Sequence, residues 1–208
     1  TEKNILKVVE PLFMDDLRAE FTALKARRDT GRRAALLAFQ RKLGALRIFD
    51  PACGAGNFLI IAYRELRLLE LEVVRELRVG RTTTQLELDA AELSVVDVDQ
   101  FFGIEYDLFA GRIAETALWM MDHLMNNRLS LEFGQSFVRI PLRRSARIVH
   151  GNALAIDWND VLPASECTHI LGNPPFRGHQ WRSAEQQTDM HRVWGRDGSV
   201  NRLDYVTC

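Results

Sequence analysis

A chain of 208 residues, 47% of them hydrophobic, can bury roughly 70% of the surface its unfolded state exposes, so one domain with a small helical appendage is expected. A formal net charge of −1 excludes the global basic field with which a small module grips nucleic acid unaided. Cys53, Cys167 and Cys208 lack metal-ligand spacing, and no apolar run reads as a membrane span or signal peptide, so a cytoplasmic chain with no metal and no membrane partner is expected.

Residues 10–28 carry Phe13, Leu17, Phe21 and Leu24 at helical spacing, and Thr30-Gly31 ends that pattern. A second helix is predicted over 32–46. The two make up a helical N-terminal segment, residues 1–45, in which no chemistry is visible. The remainder, 46–208, is expected to be the functional core. A strand is predicted at 46–50, a long amphipathic helix at 57–78, and a polar connecting excursion at 80–98. A strand at 101–105, a helix at 107–126 and strands at 146–150 and 168–172 follow. Residues 178–201 are polar and predict a mobile loop, and 203–208 read as helix-like. The chain begins without methionine and stops inside that last pattern, so an excerpt of a larger polypeptide is expected.

Strand, helix, strand, helix, strand, strand is the order of an α/β fold with a parallel sheet and right-handed crossovers. Ligands of such sheets sit beyond the carboxyl ends of the strands, where Asp50, Glu105, Asn152 and Asn173 all fall. Asp50-Pro51-Ala52-Cys53-Gly54-Ala55-Gly56-Asn57-Phe58 reads as a strand end, a glycine turn and a helix start, which lets a ligand approach the backbone. The turn has no lysine for a terminal phosphate, which disfavours ATP and favours an adenosine cofactor without a polyphosphate. A carboxylate at Glu105 can accept hydrogen bonds from both ribose hydroxyls, although a helix-capping acid occupies the same position in many proteins.

Asn173-Pro174-Pro175-Phe176 follows the apolar Ile170-Leu171-Gly172. An exocyclic amine of a nucleobase is a poor nucleophile because its lone pair is delocalised into the ring. Two acceptors on its N–H groups, the Asn173 side-chain oxygen and the Pro174 carbonyl, push the nitrogen toward tetrahedral geometry. Fixed proline φ angles preorganise them. Phe176 can stack on a base turned out of the duplex. The competing reading is a proline-ended loop with a core phenylalanine. His123, His150 and His169 read as structural, and Cys53 lacks a basic partner that would make it a nucleophile.

Asp50 to Phe58, Phe102-Gly103-Ile104-Glu105, Gly151-Asn152-Ala153-Leu154 and Gly172 to Phe176 resemble, in order, the motifs of amino-group DNA methyltransferases of the N6-adenine type. The chain is most similar to the MmeI-like enzymes, which fuse restriction and methylation in one polypeptide. The resemblance implies a Rossmann-like, S-adenosylmethionine-dependent methyltransferase fold, incomplete at its C-terminus, that transfers a methyl group to N6 of adenine in double-stranded DNA. It places the methionine end of the cofactor near Asp50, Pro51, Ala52, Cys53, Gly54, Gly56, Asn57 and Phe58. The ribose falls on Glu105 and the adenine beside Asn152 and Ala153. Asn173, Pro174, Pro175 and Phe176 form the catalytic pocket. Many relatives carry an aspartate where Asn152 stands, and further strands follow in the family fold. A non-catalytic cofactor-binding scaffold, methylation of an amine or amide in protein or RNA, and a nicotinamide-dependent oxidoreductase are the competing classes.

Overall fold

The computed structural model describes residues 1–79, 94–133, 145–195, 202 and 204–206. Its helices are α1 (Glu2–Val9), α2 (Asp15–Ala26), α3 (Arg32–Ala45), α4 (Asn57–Arg78), α5 (Leu108–Phe133), α6 (Trp158–Val161) and α7 (Ala184–Trp194). The strands are β1 (Ile48–Asp50), β2 (Phe101–Glu105), β3 (Arg147–His150), β4 (His169–Ile170), β5 (Phe176–Arg177) and β6 (Tyr205–Val206). Four of them form a parallel sheet in the order β3-β2-β1-β4. β5 and β6 pair antiparallel as a separate two-stranded ribbon.

Period-two alternation places the sheet's side chains in two cores. Ile48 and Phe101 face a large apolar cluster built from α4, α5 and the N-terminal helices, including Phe13, Phe39, Leu59, Leu66 and Leu118. Phe49 and Ile104 face a smaller cluster with Ala153, Val161, Leu162 and Trp158. The topology explains this division. The crossovers β1–α4–β2 and β2–α5–β3 step in one direction, whereas the connection from β3 to β4 returns across β1. A right-handed return puts α6 on the opposite face and creates a switch point between β1 and β4.

Several elements depart from the sequence reading. The first helical run starts at Glu2, with a π-type turn at Glu10–Met14 in which the Asp15 N–H donates to the Glu10 carbonyl. Pro11 has no N–H to donate, and the widened turn absorbs that loss. α5 continues past Asn126 because this amide is bonded inside the core, to Arg67 and Asp122, and so does not compete with the helix backbone. The expected mobile loop holds α7, whose N-terminus is a reciprocal capping box between Ser183 and Gln186. The helix-like reading of 203–208 is also corrected: Tyr205–Val206 is a strand, since β5 supplies its backbone partners. Most of the excursion expected at 80–98, namely 80–93, lies outside the described residues.

Candidate active site at the carboxyl edge of the sheet

The glycine turn leaves β1 at Asp50 and re-enters helix at Asn57. Gly56, the N-cap of α4, has φ +79°, and a Cβ on it would lie 2.9 Å from the Ala114 Cβ. Left-handed backbone and close packing on α5 both demand glycine there. The Cys53 N–H donates to the Ile104 carbonyl at 3.1 Å, which ties the turn to β2. Glu105 completes the tie: one carboxylate oxygen accepts from the Gly54 N–H at 2.7 Å and the other from the Asp107 N–H at 2.8 Å. Each oxygen retains acceptor capacity for a ligand.

Asp50 lies beneath the turn, 1% exposed, and accepts from the Ala52 N–H at 3.0 Å. Burial pushes its carboxyl up to about 7; the Ala52 N–H opposes that rise and the charge of Glu105 adds to it. A Cβ at Gly172 would come within 2.5 Å of Asp50 Oδ1. Only glycine therefore lets the segment after β4 pass so close to the end of β1. That approach brings Asn173 to the switch point.

A cavity of about 710 Å³ opens here, within the usual range for small-molecule sites. Of the residues singled out in the sequence, Pro51, Ala52, Gly54, Glu105, Asn152, Ala153, Asn173 and Pro175 line it. The others lie around it. Asp50 and Cys53 are buried, the thiol lying 2.9 Å from where a Gly103 Cβ would be and pushed up to about 12 by burial. Asn57 is exposed at the first turn of α4, and Phe58 packs against the main core. Pro174 is half-buried, and Phe176, on β5, is 71% exposed.

The opposite wall was not read from the sequence. Glu185, Thr188, Asp189 and Arg192 form one face of α7 toward the cavity, and Tyr106 and Tyr205 also line it. Ser183 followed by Gln186 at capping-box spacing was the signal that could have revealed this helix. Asn152 is held on its wall by two protein hydrogen bonds. Its Nδ2 donates to Asp189 at 2.8 Å, and its Oδ1 accepts from the Leu154 N–H at 2.9 Å.

Parallel strands, a glycine turn and polar residues gathered at a switch point define an α/β protein of the Rossmann-like class. A family model described as MmeI, DNA-methyltransferase domain, matches residues 24–208, and the chain belongs to that family. It is 36% identical over 208 residues to DNA methyltransferase A of Bacillus subtilis strain 168, covering 98% of this chain and 22% of that protein. It is 32% identical over 85 residues, 41% of this chain and 7% of the relative, to a Methanocaldococcus jannaschii protein named as a type II restriction enzyme and methyltransferase. The solved structure of the type IIL restriction-modification enzyme MmeI in complex with DNA superposes with a TM-score of 0.90 at 50% identity, covering 99% of this chain and 26% of that one. The chain thus spans about a quarter of the length of the relatives it matches throughout. No described helix is long and apolar enough to cross a membrane.

Proposed function

We propose that this chain is the cofactor-binding and catalytic part of a restriction-modification enzyme that transfers a methyl group from S-adenosylmethionine to N6 of adenine in double-stranded DNA. The observation that carries the reading is the convergence of Glu105, Asn152, Asn173 and Pro175 on one cavity beside the glycine turn. The donor set fits the cofactor. Glu105 has acceptor capacity left for two ribose hydroxyls, Tyr106 offers an aromatic face at the rim, and Asp50, beneath the turn and behind the cavity wall, supplies a carboxyl whose charge can compensate a cationic amino-acid end.

S-adenosylmethionine, when bound, supplies an electrophilic methyl group on a sulfonium. The protein's part is to orient and activate the acceptor. Asn173 and the Pro174 carbonyl hold the N–H groups of the target amine, so that its lone pair leaves conjugation with the ring. Phe176, exposed on β5, stacks on the base withdrawn from the duplex. DNA as the acceptor is supported by the relatives, whose names carry DNA methylation and restriction.

The test is calorimetric titration with S-adenosylmethionine, with NAD and ATP as controls. The wild type should bind S-adenosylmethionine alone, and Glu105→Ala should weaken it by about 1.5–3 kcal/mol, the scale of hydrogen bonds to a charged group. Selective binding of NAD, or an affinity untouched by the substitution, overturns the assignment.

A further inference from the structure

We infer that Asp189 is a positioning residue that couples cofactor binding to the strand presenting Phe176, an inference that rests on the cofactor reading above. Asp189 is 6% exposed and its carboxylate joins three elements. Oδ2 accepts from Asn152 Nδ2 at 2.8 Å, at the carboxyl edge beyond β3. The same oxygen accepts from the Tyr205 hydroxyl at 3.4 Å on β6. Oδ1 accepts from Arg192 Nη1 at 2.8 Å, one turn further along α7. Met190, Tyr205 and Leu154 pack together beside this hub.

The direction of the coupling follows from what each arm holds. Asn152 forms the wall on which the cofactor's base would rest, and its amide is held at both ends, by Asp189 and by the Leu154 N–H. Tyr205 stands opposite Arg177 in the β5–β6 ribbon, and Val206 stands opposite Phe176. Two residues per strand make a weak ladder, so the aromatic ring depends on side-chain anchors for its place. Asp189 supplies one through Tyr205. A cofactor that fixes Asn152 thereby fixes Asp189, Tyr205 and the ribbon. A carboxylate that merely stapled α7 to the body would stabilise the fold without transmitting occupancy.

Amide hydrogen exchange on the intact chain, with and without saturating S-adenosylmethionine, separates these cases. In the wild type the cofactor should slow exchange at Gly54 and Glu105 and also at Phe176, Arg177 and Tyr205, by about five-fold or more at the ribbon. Tyr205→Phe removes one hydroxyl and, at saturating cofactor, should keep the slowing at Gly54 while losing the slowing at Phe176 and Arg177. Asp189→Asn should lose the ribbon effect too, and bind the cofactor more weakly. Ribbon slowing that survives Tyr205→Phe, or that is missing from the wild type while Gly54 is protected, refutes the coupling and leaves the cofactor site standing. If the cofactor protects nothing, the cofactor site fails and the coupling with it. Should Asp189→Asn not fold, Tyr205→Phe decides.

Discussion

Asp50 shows how one side chain can be shaped by two opposed demands. Its carboxyl is buried under the glycine turn and raised from 3.8 to about 7, chiefly by loss of solvent. A carboxyl held above its unfolded value binds protons more tightly in the folded state. Its contribution to stability is therefore complete below 3.8 and is lost as the pH climbs toward 7. A cationic ligand beside it favours the ionised form. Binding of S-adenosylmethionine should therefore release protons on the acid side of 7 and release none well above it, with affinity rising through that range. Calorimetry in two buffers of different ionisation enthalpy reads this directly. Pairing with the cofactor's cation is wrong if proton release is absent at every pH, or survives in Asp50→Asn.

Among the elements, α4 and α5 are joined by a buried polar network that the apolar periodicity of either helix does not reveal. Tyr63 donates to Asp122 at 2.5 Å, and Arg67 donates to Asp122 at 2.9 Å and to Asn126 at 2.8 Å. Glu70 faces the same guanidinium at 3.4 Å and accepts from the Val96 N–H at 3.0 Å, at the approach to β2. Removing one partner strands a buried cation, so Asp122→Ala should destabilise the fold by about 3–5 kcal/mol, toward the lower end because Glu70 remains. Urea denaturation measures it, and a loss below about 1 kcal/mol, the worth of an ordinary net hydrogen bond, would show that water or Glu70 compensates fully. The same network explains why α5 runs on through Asn126-Asn127, where a sequence reader places a stop. α7 carries the complementary lesson: its cavity-facing side is polar, so its amphipathic pattern looks like a loop until the pocket it lines is known.

For the molecule as a whole, the parallel sheet holds Asp50, Glu105, Asn152 and Asn173 at one edge, although 123 positions separate the first from the last along the chain. A ligand seated there contacts β1, β2, β3 and the segment after β4 together, and so stabilises only the assembled fold. At a concentration 100-fold above Kd it should contribute about 2.7 kcal/mol. For a chain of this size that corresponds to a rise in Tm of roughly 5–11 °C. A melting temperature unmoved by S-adenosylmethionine would contradict a site built from all four segments.

Sequence alone determined the order of the four sheet strands and of the helices between the first three, the glycine turn and the four polar strand ends, because these rest on local physics: apolar period, turn chemistry and fixed proline φ. It also placed Glu105 beside the turn, though not the two backbone N–H groups that hold it. Tertiary structure alone decided which face of α7 meets the cavity, that Asp189 bonds Asn152 across 37 positions, and that Tyr205 pairs with the strand carrying Phe176. These choices depend on which surfaces meet after the sheet reverses direction at β1. A polar side chain carries no record of its distant partner: Asn152 stands at a strand end in the sequence, and only the fold shows that Asp189 bonds it.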